Sequence, residues 1–226
     1  MSESTASGAR AHILSRLRAA PPSEAPSRPD WQPPRFGDQR LVKFRTMLES
    51  WRAEVHETTA AAWPEKLAEL LGAKLAGKNS RTVIHAPNTA TGQTLAEAWA
   101  GRDDVPALVP YTESVESFKT VLVQQADAGV TGTVAGIAET GTVVLWPGAD
   151  EPRLMSLLPP IHVAVVAASS VRDTMADVVT EQGWKNRMPT NVVLVSGPSK
   201  TADIEQTLAF GVHGPKEFVV LVLTDA

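Results

Sequence analysis

Residues 161–167 read Ile-His-Val-Ala-Val-Val-Ala, and residues 217–223 read Glu-Phe-Val-Val-Leu-Val-Leu. Both runs are nearly continuous in apolar residues. A strand with one wet face alternates apolar and polar side chains, whereas a strand covered on both faces has no need to. Residues 82–86, 107–111, 142–146 and 191–196 are read as strands of the same kind. Between them, apolar residues recur at helical spacing. Leu95, Ala96 and Trp99 mark one helix, Val115, Phe118, Leu122 and Ala126 a second, and Val171, Met175, Val178 and Val179 a third. Residues 201–210 are read as a fourth, with Thr201 as N-cap and Asp203 and Glu205 in its first turn. The pattern predicts an α/β fold in three layers: a largely parallel sheet with helices on both faces, preceded by N-terminal helices.

Working outward, residues 38–77 read as a helical lead-in to an α/β domain spanning 38–226. Leu41, Phe44, Leu48, Trp51 and Val55 share one helical face, and Pro64 suits the first turn of the next helix, whose stripe is Leu67, Leu70, Leu71 and Leu75. Residues 1–37 are peripheral. Ala9, Ile13, Leu14 and Leu17 suggest a short amphipathic helix, followed by six prolines between Pro21 and Pro34. Proline fixes φ and removes an N–H donor, so this segment is expected to be an extended linker, a tail or a docking arm.

Composition narrows the function. The chain has 226 residues with a formal net charge of −4. General affinity for nucleic acid or an anionic membrane is not expected. No run approaches the ~20 apolar residues of a membrane span, and no secretory signal is evident, so the expected location is the cytoplasm. There is no cysteine. A thiolate nucleophile, a cysteine zinc site or a cysteine-ligated iron–sulfur cluster therefore cannot reside on this chain. The five histidines show no H-E-x-x-H spacing, and no metal site is expected. His85 and His162 lie in or beside apolar strands and read as core residues.

Three loops carry candidate chemistry. The first, Ala128-Gly129-Val130-Thr131-Gly132-Thr133, offers glycines for close backbone approach and hydroxyls for hydrogen bonding, but its spacing alone reads as a tight turn. The second, Ala138-Glu139-Thr140-Gly141-Thr142, sets a carboxylate before a Thr-Gly-Thr turn. A buried Glu139 could serve as base or nucleophile. In the third, Ser196-Gly197-Pro198-Ser199-Lys200-Thr201, a helix N-terminus with Lys200 and Ser199 would attract an anion. Beyond them His213 sits in a glycine-framed loop. Open α/β sheets bind ligands beyond the carboxyl ends of their strands, and these loops are expected there. Gly129, Thr131, Gly132, Thr140, Gly141, Thr142, Gly197, Ser199, Lys200, Thr201 and His213 are the candidate residues for a small anionic ligand.

Taken in order, AGVTG (128–132), AETGT (138–142), LLPPIHV (157–163), SGPSKTADIE (196–205) and GVHGP (211–215) resemble the lactate utilisation protein C family, the LUD domain. The resemblance runs from about residue 80 to the end. It implies a NagB/RpiA/CoA-transferase-like fold and a role in oxidising L-lactate to pyruvate alongside cysteine-rich and iron–sulfur partner proteins. A chain without cysteine is then expected to be a non-redox subunit with no cofactor of its own, the clusters residing on those partners. The resemblance leaves room for a homo-oligomer. Two other readings stay open: an acyl-CoA transferase-like or sugar-phosphate isomerase-like enzyme using Glu139, and a small-molecule-sensing interaction module.

Overall fold

The computed structural model describes residues 3–20, 31–78, 81–202, 208–210 and 214–226. The chain forms two compact units, Met1–Pro33 and Pro34–Ala226. The first contains the helix α1 (Glu3–Ala19).

In the second unit the elements follow in chain order: α2 (Arg40–Ser50), β1 (Glu54–Thr58), α3 (Trp63–Lys74), β2 (Thr82–His85), α4 (Ala90–Trp99), β3 (Ala107–Pro110), α5 (Val115–Gln124) and β4 (Ala128–Gly132). Then come β5 (Ala135–Ile137), β6 (Thr142–Leu145), β7 (Ile161–Ala167), β8 (Val171–Arg172), α6 (Met175–Glu181), β9 (Val193–Val195), β10 (Lys200–Ala202), β11 (Leu208–Phe210) and β12 (Glu217–Leu223). Six strands form a parallel sheet in the order β1-β12-β7-β4-β2-β3. A smaller mixed sheet runs β8-β5-β6-β9, and β10 pairs antiparallel with β11.

Strand periodicity sorts the core. Val83, Val130, Val163 and Leu221 meet Leu67 and Leu71 of α3 and Leu95 and Trp99 of α4 on one face. On the other face Ala164, Val166, Val220 and Val222 meet Phe44 and Leu48 of α2 and Val143 and Leu145 of the small sheet. Ile84 and Met155 pack there against Phe118 and Leu122 of α5. The outer side of the small sheet, Ala135, Ile137 and Val144, is closed by Val178 of α6 and by Trp184. Each fully buried Leu or Phe contributes roughly 1.5–3 kcal/mol, so the central strands are the most strongly held part of the fold. The α/β class with a largely parallel sheet and surrounding helices is as expected. Thr89, Ser114 and Thr174 cap α4, α5 and α6, the last with a capping box completed by Asp177, and Pro64 lies in the first turn of α3.

Four expectations are corrected. The lead-in is not helical throughout. Trp51 ends α2, Arg52 adopts a positive φ of 68°, and Val55 lies in the edge strand β1 rather than on a helical face. Residues 128–132 are the central strand β4, not a turn. Its small residues follow from packing, because a Cβ on Gly129 would stand 2.3 Å from the Met155 carbonyl oxygen. Val171 belongs to β8, ahead of α6. Residues 200–202 and 208–210 pair as strands, so Thr201 opens no helix there. His213 lies outside the described residues.

Candidate functional site

The amino ends of β7 and β12 hold the most distinctive polar group of the core. Alternation along β7 sends Ile161, Val163 and Val165 to one face and His162, Ala164 and Val166 to the other. His162 is fully buried. Its Nε2 lies 2.9 Å from Thr131 Oγ1 of β4, and its ring stacks on Phe218 of β12 at 5.1 Å between centroids. Burial pushes the imidazole down to about 3, so the ring is neutral at physiological pH. Its Nδ1 has no hydrogen-bond partner among the described residues. A buried polar atom in that state costs about 1–3 kcal/mol, a cost that a ligand's hydrogen bond would relieve.

His162 lines a cavity of about 200 Å³. Phe218, Leu157, Val193 and Val195 supply apolar walls. Ser156, Ser196, Ser199 and the backbone of Gly197 and Gly214 supply polar ones. Ser156 Oγ donates to the Arg153 carbonyl, leaving its oxygen as an acceptor. Behind the wall runs a line of hydroxyls: Ser196 Oγ is 2.8 Å from Thr142 Oγ1, which is 2.7 Å from Thr140 Oγ1.

Two close approaches seat the loops that carry these hydroxyls on the carboxyl end of α2. Gly141, at φ +61°, has its Cβ position 2.4 Å from the Leu48 nitrogen, and that of Gly197 is 2.2 Å from the Trp51 carbonyl oxygen. Any side chain would lift either loop off the helix. Trp51 Nε1 donates to the Thr140 carbonyl at 3.2 Å, and Lys200 Nζ stands 4.4 Å over the Trp51 ring.

The sequence motifs therefore converge, though not where the carboxyl-end rule places them. Thr131 reaches the cavity through His162, Thr142 through Ser196, and Gly197, Ser199, Leu157 and Gly214 line it directly. The lining lies at the amino ends of β7 and β12, and Thr131, the fourth residue of β4, meets it only through His162. Gly132, the next residue, closes β4 at its carboxyl end, where its N–H donates to Glu151. Lys200 supplies a charge on Trp51 beside the site rather than at a helix terminus. Glu139 is half-buried, its N–H bonded to the Asp173 carbonyl at 3.0 Å, and it is not among the cavity's lining residues. Sequence reasoning missed His162. The signal was present, since a single histidine interrupts an apolar strand directly after Pro159-Pro160, but the alternation rule files it with the core.

The LUD domain family model matches residues 41–223. An uncharacterized protein of Neisseria meningitidis serogroup B is 33% identical over 223 residues, covering 95% of this chain and 93% of that protein. The lactate utilization protein C of Geobacillus kaustophilus is 30% identical over 230 residues, covering 95% and 94%. Its counterpart from Bacillus subtilis is 39% identical over 106 residues, which cover 45% of this chain and 44% of that protein. Among solved structures, a DUF162 family protein from Deinococcus radiodurans has a TM-score of 0.58 at 23% identity, covering 84% of this chain and all of that one.

Proposed function

We propose a role in lactate utilisation for this chain, which belongs to the LUD domain family. Within that role it is the non-redox subunit of an L-lactate-oxidising system. Conversion of lactate to pyruvate releases two electrons and two protons. With no cysteine on the chain, clusters that take up those electrons belong to cysteine-rich and iron–sulfur partner proteins. What this chain contributes is a site for the small acid.

The observation that carries the reading is the unpartnered His162 Nδ1 in a cavity on which the sequence motifs converge. At about 200 Å³ the cavity is smaller than the roughly 300–1,000 Å³ of drug-sized sites, which suits an acid of a few carbons. The Ser196–Ser199 loop offers hydroxyl and backbone groups to a carboxylate, and His162 offers a neutral imidazole nitrogen to the adjacent hydroxyl or keto oxygen. With its ring held at about 3, His162 is a poor base at neutral pH and orients the ligand instead. Phe218 and Leu157 take the methyl group.

Calorimetric titration of the full chain with L-lactate and pyruvate tests this. The expected result is saturable binding of one or both, weakened about tenfold or more in His162→Phe combined with Thr131→Val. The paired change removes the hydrogen bond without stranding the threonine hydroxyl. Absence of binding by either acid overturns the site. Capture of the tagged chain from lactate-grown cells tests the assembly separately. Recovery of brown, cysteine-rich partners supports it, and recovery of the chain alone counts against it.

A further inference from the structure

The carboxyl ends of the strands hold a second cavity. The chain runs outward from β2 to the edge strand β3, then returns to lay β4 on the other side of β2. The connections leaving β2 and β4 therefore part. One enters α4, which packs on the face covered by α3. The other enters the small sheet on the opposite face. Such a reversal opens a crevice between two strand ends. Here it encloses about 180 Å³, lined by Thr89, Gly132, Thr133, Val134, Trp146 and Glu151. Gly132 lies level with Val165, three residues beyond His162, or about 10 Å further along the strands.

The polar groups of this lining are mostly acceptors. Gly132 N–H is already donated to Glu151 Oε2 at 3.0 Å, and Val134 N–H to the Val144 carbonyl at 2.9 Å. Thr133 Oγ1 gives its proton to the Val165 carbonyl at 3.0 Å, and Thr89 Oγ1 gives its own to the Ala86 carbonyl at 2.9 Å. Glu151 forms no ion pair among the described residues. Asp150 accepts from Asn88 Nδ2 at 3.2 Å, and the exposed Arg187 lies over the ring of the lining residue Trp146 at 5.2 Å. Burial pushes the Glu151 carboxyl up to about 7, with the Gly132 N–H opposing. A largely desolvated carboxyl with a free oxygen, no ion-pair partner among the described residues and an indole wall is complementary to a compact cation with several N–H donors.

We propose that this crevice binds a small molecule through a protonated primary amine, which donates to Glu151 and Thr133 and rests against Trp146. The site is independent of the acid site around His162.

Amide correlation spectra of the isotope-labelled full chain, titrated with ethylammonium chloride against a sodium chloride control, test the proposal. Expected are saturable shifts at the Gly132 and Thr133 amides and the Trp146 indole. Glu151→Gln retains an acceptor for Gly132 N–H and should weaken binding about tenfold or more. The carboxyl carbon of Glu151 should titrate at lower pH when ethylammonium is saturating. This last measurement uses the unmodified chain and decides the matter even if the variant does not fold. Shifts undiminished in Glu151→Gln, an unmoved Glu151 titration, or saturation by ribose in place of the amine overturns the proposal. The His162→Phe/Thr131→Val chain should show the same ethylammonium shifts, so failure of the acid site leaves this result intact.

Discussion

The two ends of the central strands bury a titratable group each, and burial acts on them in opposite directions. At the amino ends His162 is driven down to about 3 and becomes a fixed neutral donor or acceptor. At the carboxyl ends Glu151 is driven up to about 7, where its charge responds to anything that binds beside it. Desolvation disfavours the charged form in both cases. The depth differs: the histidine is wholly enclosed between β4, β7 and β12, whereas the glutamate stands in a crevice mouth. One end is a rigid hydrogen-bonding seat, and the other is an electrostatically adjustable one.

The rigidity contrast is tested most sharply by glycine. Gly129→Ala drives a Cβ to 2.3 Å from the Met155 carbonyl oxygen beneath the acid site, a backbone atom that cannot simply rotate away. The expected loss is about 2–3 kcal/mol, or roughly 5–10 °C in Tm. Gly148, in the segment leading to Glu151, has no atom within 4 Å of its Cβ position and no positive φ. Gly148→Ala should leave stability within about 1 kcal/mol and can raise it by restricting the unfolded chain. Thermal denaturation of both variants checks this. Equal losses would mean that the amino end is no more tightly packed than the crevice.

The same contrast governs what is legible in the sequence. The central strands β7 and β12 are legible because a seven-residue, nearly continuous apolar run is too short for a core helix and too apolar for a surface loop. β1 is not. Its sequence Glu-Val-His-Glu-Thr is polar at every position but Val55, as an edge strand's can be, and Val55 happens to continue the helical spacing of Phe44 and Leu48. β4 passes for a turn because Gly129 and Gly132 resemble loop residues when the carbonyl and hydroxyl packed against them are unknown. At 200–210 a good helix start is present, yet strand pairing prevails at both ends of the segment. Thr131, Thr142, Gly197 and Ser199 are legible as candidates because hydroxyls and glycines cluster in sequence, and the fold brings them to or behind one cavity. His162 and Glu151 are not, since each owes its character to burial by segments distant in the chain.

The titrations sharpen the comparison further. The histidine's folded value lies below its ordinary 6.5, so between the two values the unfolded chain binds the extra proton and stability rises with pH. The glutamate's folded value lies above its ordinary 4.5, so the folded chain binds the extra proton there and stability falls as pH rises toward 7. Between about pH 4.5 and 6.5 the two slopes oppose, each amounting to about 2 kcal/mol across that window. Glu151→Gln should therefore steepen the gain of stability with rising pH. His162→Phe/Thr131→Val should remove a gain and tilt the profile the other way. His85, also lowered by burial, is common to both variants and cancels from the comparison. Urea unfolding at pH 5 and 6.5 reads the difference. Parallel profiles for the two variants would refute the opposed burial effects.

The smallest expected effects concern the cations beside each site, and these too should differ in sign. Lys200 stands over Trp51 at the amino end and Arg187 over Trp146 at the carboxyl end. Both side chains are exposed, and neither charge should contribute more than about 1 kcal/mol to folding. Their influence on ligands is separate. Lys200 adds positive potential near a site for a carboxylate, without lining the cavity. Lys200→Ala should weaken L-lactate binding about two- to threefold, and added salt should shrink that difference. Arg187 occupies the indole that the proposed amine would share, and it repels the incoming cation. Arg187→Ala should strengthen ethylammonium binding by about the same factor. If Lys200→Ala instead weakened lactate tenfold or more, the lysine would contact the ligand directly and the loop would have to close over the cavity. If Arg187→Ala weakened the amine, the guanidinium would be holding Trp146 in place rather than competing for its face.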